Sequence, residues 1–269
     1  MRRTMLFVPA NNAQFLKKST EVDADAIIFD LEDSVPLSQK KEARETLSKA
    51  LSNNDWPGKE LCVRVNSPST EVGLWDLLYV AGCDSVDAVV VPKAEHDLSF
   101  VHTSTAKKII PIIESASGLL NITQVAQSDG VTALMYGPAD FANSVNGDIG
   151  AYSTSSVVKT LVACHAAMNK VDSIDSVYFD VKNTSGLRKE AKDAKKLGFS
   201  GKAVIHPDQV AVVNQIFYPT KEELARFRRI VQAYESTGKR GAITVDGKLV
   251  DYAHYKWARN LLQKLSEGE

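Results

Sequence analysis

IIFDLEDSV, residues 27–35, begins as a short apolar run and finishes in Asp30, Glu32 and Asp33, with Leu31 between the first two acids. An apolar run this short suits a β-strand covered on both faces. Carboxylates at the end of such a strand either cap the helix that follows or belong to a polar site at the strand's C-terminal end.

Seven further runs of this kind recur along the chain: TMLFV (4–8), LCVRV (61–65), DAVVV (87–91), KIIPII (108–113), TALMY (132–136), DSVYFD (175–180) and KAVI (202–205). Helix-like stretches such as NAQFLKKSTEV and GLRKEAKDAKKLGF separate them, the latter rich in Lys, Glu, Ala and Leu and closing on Gly198 as a helix C-terminus does. Strand and helix in alternation predict parallel βαβ units. With the run at 26–31 there are eight strands, which predicts an α/β fold of the closed (β/α)8 TIM-barrel type. An open doubly wound sheet is the alternative. The glycine fingerprint of dinucleotide binding is absent after the first strand, where FVPANN stands. We expect residues 1–218 to form the barrel and 219–269 a C-terminal helical extension.

The 269 residues are 44% hydrophobic and 24% charged, with a net charge of −1, a balance that gives no reason to expect nucleic acid or an anionic membrane as partner. No run of apolar residues is long enough to span a bilayer, and MLFVP after Arg2 and Arg3 is too short for a signal-peptide core. Cys62, Cys83 and Cys164 are odd in number and widely spaced, which reads as reduced thiols in a cytoplasmic protein.

In a barrel of this type the strand C-termini carry the active site. The expected strands are followed by Asn11 and Asn12; Asp30, Glu32 and Asp33; Arg64 and Asn66; Lys93; Glu114 and Ser115; Gly137 and Asp140; Asp180 and Lys182; and His206. A ring of polar ends reads as a site, although any one of them suits a helix cap. Arg64, set among apolar neighbours, needs a partner, and Asp30, Glu32 and Asp33 are the candidate counter-charges. Asp30 has the weakest claim of the three to a role at the site. Glu114 and Asp140 offer hard oxygen ligands without His or thiol company. They suit Mg²⁺, or Mn²⁺, holding a 2-keto acid through its carboxylate and keto oxygen. Arg64 suits a second carboxylate or a developing enolate oxygen. These parts serve aldol or Claisen chemistry. A helix cap is the plain alternative for Asp140, whereas KNTSG and HPDQ offer no glycine-rich phosphate cradle.

The blocks RRTMLFVPANN, IIFDLEDSVPLSQKKEAR, VRVNS, VPKAE, IIESASGLLN, GPADF and AVIHPDQV resemble the citrate lyase β-subunit-like branch of the HpcH/HpaI aldolase superfamily. The resemblance extends to VDGKLVD near residue 251. It implies a TIM barrel assembled as homotrimers or hexamers. It also implies Mg²⁺-dependent carbon–carbon cleavage of citryl-, malyl-, methylmalyl- or citramalyl-CoA, with acyl-carrier protein as an alternative thioester carrier. Glu114 and Asp140 match the metal ligands, Arg64 the arginine near the scissile bond, and Glu32 and Asp33 the acidic pair after strand two. Backbone groups of Gly137, Pro138, Ala139 and Asp140 match those that hold the keto-acid carboxylate. In the related class II pyruvate aldolases a catalytic His stands about where Asp33 stands here, which points toward the thioester lyases. Asp251, read by itself, is a helix N-cap ahead of an amphipathic helix bearing Tyr255, Ala258, Leu261 and Leu262. By the resemblance it enters the neighbouring subunit's site from the C-terminal extension, acting as a lid, and exchanges a proton with the thioester enolate. The chain departs from the family in having Tyr252 and Ala253 after Asp251, where Pro is common. Arg2, Arg3, Lys17 and Lys18 are candidates for the CoA phosphates, with ordinary surface charge as the alternative. An aldolase acting on free pyruvate-derived hydroxy acids and a non-catalytic metabolite-binding barrel are the competing functions.

Overall fold

The computed structural model describes residues 2–238 and 241–266. The chain divides into two compact units, Met1–Phe217 and Tyr218–Glu269. In the first unit the order is β1 (Thr4–Pro9), α1 (Ala13–Ser19), β2 (Ala26–Asp30), α2 (Lys40–Asn53), β3 (Glu60–Arg64), α3 (Glu71–Ala81), β4 (Ala88–Val91) and α4 (Ser99–Thr105). It continues with β5 (Lys108–Ile113), α5 (Ala116–Leu120), α6 (Ile122–Ala126), β6 (Ala133–Tyr136), α7 (Pro138–Ser144), α8 (Ile149–Ser153) and α9 (Ser156–Met168). The last members are β7 (Asp172–Asp175), α10 (Thr184–Leu197), β8 (Gly201–Val204) and α11 (Pro207–Phe217).

The eight strands pair in sequence order, all parallel, and β8 closes onto β1, giving a TIM barrel. Strand alternation sorts the side chains into two apolar layers. Met5, Ile28, Cys62, Val90, Ile112, Met135 and Ala203 fill the barrel. Leu6, Ile27, Val63, Val89, Ile113 and Leu134 pack outward with helix residues such as Leu47, Val162 and Val213. Gly198 ends α10 in the left-handed region at φ 101°, as its position after a Lys- and Ala-rich helix predicts.

The seventh strand departs from expectation. It covers Asp172–Asp175 and not 175–180. The apolar VYF favoured the later segment, but DSID has the buried partners that let polar residues sit in a strand. Ser173 Oγ donates to the carbonyl of Gly198 at 3.1 Å. Asp175 is fully buried between Lys159 Nζ at 2.8 Å and Lys202 Nζ at 2.7 Å. Val177 and Phe179, freed from the sheet, line the cavity at the mouth.

At the opposite pole, Arg2 pairs with Glu60 at the start of β3 and Asp172 at the start of β7, and Arg3 pairs with Asp25 just before β2. Both arginines therefore tie strand N-termini together. This corrects their candidacy for CoA phosphates, since the strand C-termini form the mouth. Lys17 and Lys18 remain exposed on α1.

The second unit contains α12 (Lys221–Ser236), an antiparallel hairpin of β9 (Ile243–Val245) and β10 (Lys248–Val250), and α13 (Tyr252–Ser266). Thr220 and Glu223 cap α12 reciprocally. Asp246 and Gly247 both have positive φ, 51° and 74°, as a tight two-residue hairpin turn requires. The core of the unit includes Phe227, Ile230, Tyr234, Val250, Tyr255 and Ala258, with Leu261 and Leu262 packed against it. Among the described residues no helix is long and apolar enough to cross a membrane.

Candidate active site

The site follows from the same alternation that fills the barrel. Two residues beyond the inward-facing Ile28, Cys62, Ile112 and Met135 stand Asp30, Arg64, Glu114 and Gly137. All four line a cavity of about 470 Å³, together with Asp33, Pro138, Ala139 and Asp140. Phe7, Ile112, Met135, Val177, Phe179 and Ile205 supply apolar wall.

Arg64 is held chiefly by Asp30. Its Nε and Nη2 donate to the two carboxylate oxygens of Asp30, each at 2.7 Å, and its guanidinium carbon lies 5.0 Å from the centre of the Phe7 ring. Nη1 is 2.9 Å from Glu32 Oε2 and 3.6 Å from Asp33 Oδ2. The Glu32 contact is an ion pair by distance but lacks hydrogen-bond geometry. Burial pushes the Asp30 carboxyl up, yet the Arg64 pair outweighs it and leaves Asp30 below the ordinary carboxylate range. Asp30 thus becomes the principal anchor, which corrects its ranking below Glu32 and Asp33. Glu32 is buried, whereas the Asp33 side chain is 62% exposed.

Lys93 joins the two acidic groups. Its Nζ donates to Glu32 Oε1 at 2.9 Å and its backbone N–H to Glu114 Oε1 at 2.7 Å. The residue sits at φ 48°, a left-handed conformation uncommon for a long side chain, and this turn presents both donors to the mouth. Lys40 supports the loop from below, donating from Nζ to the carbonyls of Leu31 and Glu32, each at 2.6 Å.

Glu114 is almost fully buried, and burial pushes its pKa up to about 8, with Glu32 and Asp140 adding to the rise and the Lys93 N–H opposing it. Among the described residues its Oε2 accepts no hydrogen bond. A Cβ on Gly137 would lie 2.5 Å from that oxygen, so the glycine keeps the space beside it open. Gly137 is also the N-cap of α7, with Pro138 at the first helical position. Asp140 therefore lies within the first turn and is not the cap, which removes the plain alternative for it. Among the described residues no group of three or more His, Cys, Asp and Glu side chains is gathered for a metal. Glu114 and Asp140 instead offer two carboxylates on one cavity. The unengaged oxygen of Glu114, on a residue only 4% exposed that lines the cavity, fits a cation such as Mg²⁺, which completes its shell with water and ligand oxygens.

Other expected strand-end residues serve local structure. Asn12 and Ser115 cap α1 and α5, and Asn11 bonds Gln39. Asn66 bonds Asp76 and the carbonyl of Leu31. His206 Nδ1 faces the Asp208 carboxylate at 3.5 Å. Asp180 and Lys182 follow the segment that left the sheet and are not at a strand end. In the second unit, Asp251 accepts from the backbone N–H groups of Ala253 and His254 at the start of α13, and its Oδ1 lies 2.6 Å from His254 Nδ1. The His254 bond holds its carboxyl below the ordinary range. The sequence offers Asp30 as one of three counter-charges for Arg64 without showing that it is the principal one, and it does not show the apolar wall. Asp30 was findable, because it is the register partner of Arg64; Lys40, inside QKKEAR, gave no signal.

The family model described as HpcH/HpaI aldolase/citrate lyase matches residues 3–207. A (3S)-malyl-CoA thioesterase of Cereibacter sphaeroides is 32% identical over 274 residues, covering 97% of this chain and 94% of that protein. Citrate lyase subunit beta of Haemophilus influenzae is 31% identical, covering 100% of this chain and 98% of that protein. The crystal structure of CitE from Mycobacterium tuberculosis, in complex with magnesium, acetoacetate and coenzyme A, superposes with a TM-score of 0.82 at 29% identity, covering 97% of each chain.

Proposed function

The chain belongs to the HpcH/HpaI aldolase/citrate lyase family and is a lyase, and from that premise we propose that it cleaves a carbon–carbon bond in a 3-hydroxy-3-carboxyacyl thioester of coenzyme A. The observation that carries this reading is the buried carboxylate of Glu114, with one oxygen unengaged beside Gly137 and Asp140 on the same cavity. Glu114 and Asp140 would hold Mg²⁺, which when bound supplies a Lewis acid for the carboxylate and the oxygen on the adjacent carbon.

The bond that breaks joins the hydroxyl-bearing carbon to the α carbon of the thioester. Its electron pair passes to the α carbon as a thioester enolate, the hydroxyl loses its proton, and a 2-oxo acid results. Protonation of the α carbon then gives the acyl-CoA. Arg64, fixed by Asp30 through Nε and Nη2, keeps Nη1 as a donor for the thioester oxygen as charge develops there. Glu32 holds Lys93 and steadies Arg64. Asp33, which lines the cavity, accepts the hydroxyl proton in this reading. Backbone groups of Gly137–Asp140 orient the acid's carboxylate. Asp251, delivered by the C-terminal unit of a neighbouring subunit in a trimer or hexamer, donates the proton to the α carbon.

The test is the purified protein with MgCl₂ against citryl-, malyl- and citramalyl-CoA and the corresponding free hydroxy acids. Acyl-CoA and 2-oxo acid in equal amounts support the reading. Free CoA with an intact hydroxy acid indicates a thioesterase, 2-oxo acid from a free hydroxy acid indicates an aldolase, and no turnover indicates a binding protein. Asp251→Asn should abolish turnover while leaving assembly and metal binding unchanged; near-normal activity removes Asp251 from the mechanism.

A further inference from the structure

The cavity has a marked asymmetry of charge. Asp30, Asp33, Glu114 and Asp140 line it, and Arg64 is the one cationic side chain among the described residues that does so. That cation is already committed. Asp30 takes Nε and Nη2 in a two-pronged pair, and Glu32 and Asp33 stand 2.9 and 3.6 Å from Nη1. Arg64 retains N–H groups that can donate to one oxygen, but three carboxylates surround its single positive charge. Lys93, the nearby alternative, does not line the cavity and pairs its Nζ with Glu32 at 2.9 Å. Glu114 and Asp140 would be balanced by a divalent cation held between them, which would also engage the one carboxylate common to all these substrates. After that, among the described residues, both cations at the mouth, Arg64 and Lys93, already face carboxylates.

The rest of the wall is mainly apolar, with Phe7, Ile112, Met135, Val177, Phe179 and Ile205; of its two hydroxyls, Ser34 donates to the carbonyl of Asp30 at 3.5 Å and Tyr136 to that of Tyr152 at 2.9 Å. Such a surface accommodates a hydrogen or a methyl group. A second carboxylate on the oxo-acid half of the substrate would face either this wall, losing its hydration without a partner, or the carboxylate ring, meeting like charge.

We propose that this lyase is selective for thioesters whose oxo-acid half bears a hydrogen or a small alkyl group and no second carboxylate. Pyruvate or glyoxylate would then be the co-product, and oxaloacetate would be rejected. The inference rests on the lyase reading above and narrows its substrate class.

Two measurements test it. With MgCl₂ present, kcat/KM for citramalyl- or malyl-CoA should exceed that for citryl-CoA by about 100-fold, the order expected when a charge meets a pocket with no partner for it. Binding by calorimetry, which does not depend on turnover, should give the same preference for pyruvate over oxaloacetate. Phe179→Arg places a cation on the cavity rim at a side chain 57% exposed, where folding is not at stake, and should narrow the gap at least tenfold. Equal or better cleavage of citryl-CoA overturns the inference and leaves the lyase reading standing. Binding of neither oxo acid together with no turnover of any of the thioesters overturns both. A Phe179→Arg protein with an unchanged preference shows that charge at the wall does not set selectivity, and overturns the inference as well.

Discussion

Asp30 and Arg64 are register partners on the last rungs of β2 and β3, and their side chains meet in two hydrogen bonds of 2.7 Å. Parallel neighbours in register point the same way, so both enter the barrel at the mouth. The pair explains how an arginine is tolerated among Val63, Val65 and Phe7, and it fixes the guanidinium plane with Nη1 still available. The loop that follows then adds Glu32 and Asp33 around the same cation.

Asp30→Asn keeps the size of the side chain and removes its charge. Activity should fall by about 100-fold, as for loss of a group that aims a transition-state donor. Stability should fall by about 3 kcal/mol, because Arg64 loses its buried partner. Asp30 is depressed in the folded state, so its contribution is complete above the unfolded value of about 3.9 and is lost as pH falls through the lower folded value. Urea unfolding from pH 6 down to pH 3 checks this: the gap between wild type and variant should be constant near neutrality and shrink at the acid end.

Glu114 in the metal-free protein holds a proton up to pH about 8. A cation bound there must displace that proton, so Mg²⁺ affinity should rise with pH by at most about tenfold per unit and level off above 8. Calorimetry at pH 6.5, 7.5 and 8.5 in buffers of different ionisation enthalpy should detect proton release at the lower two. Glu114→Gln should abolish both the Mg²⁺ thermal shift and the proton release. Chelation of wild type should remove activity, and Mg²⁺ should restore it.

The barrel was legible because its strands are apolar runs bounded by helix-forming stretches, and period-two alternation then names the mouth residues. IIFDLEDSV carried both signals at once. DSID failed the same test, since its acids are satisfied by Lys159 and Lys202, partners distant in sequence. The weight of Asp30 is hidden in the sequence for a related reason. Its neighbours in sequence are Glu32 and Asp33, while its decisive neighbour, Arg64, lies across the ladder. Arg2 and Arg3 misled in the opposite sense, looking like surface cations until Glu60, Asp172 and Asp25 closed around them.

Gly137→Ala adds a methyl group 2.5 Å from Glu114 Oε2 and 2.7 Å from Glu114 Cβ. The carboxylate has to move, and the space beside its open oxygen disappears. We expect a stability loss of about 1–3 kcal/mol from overpacking, with kcat/KM lowered far more than stability implies and the Mg²⁺ thermal shift reduced. A folded variant that retains both Mg²⁺ response and turnover would show that the opening beside Glu114 has no part in the site.

The buried charges behind β7 and β8 give a purely structural prediction. Asp175 lies between Lys159 and Lys202, and Lys202 also reaches Glu190 Oε1 at 2.6 Å. The two lysines and two acids balance. Asp175→Ala leaves two buried ammonium groups with only Glu190 to share, and should cost about 3–5 kcal/mol. Lys202→Met keeps the Lys159–Asp175 pair, and the Glu190 side chain it releases already has 11% of its surface exposed. That variant should therefore lose less. Denaturant unfolding of both variants decides the matter: if Lys202→Met proves the more damaging, Lys202 holds β8 through more than charge balance with Asp175.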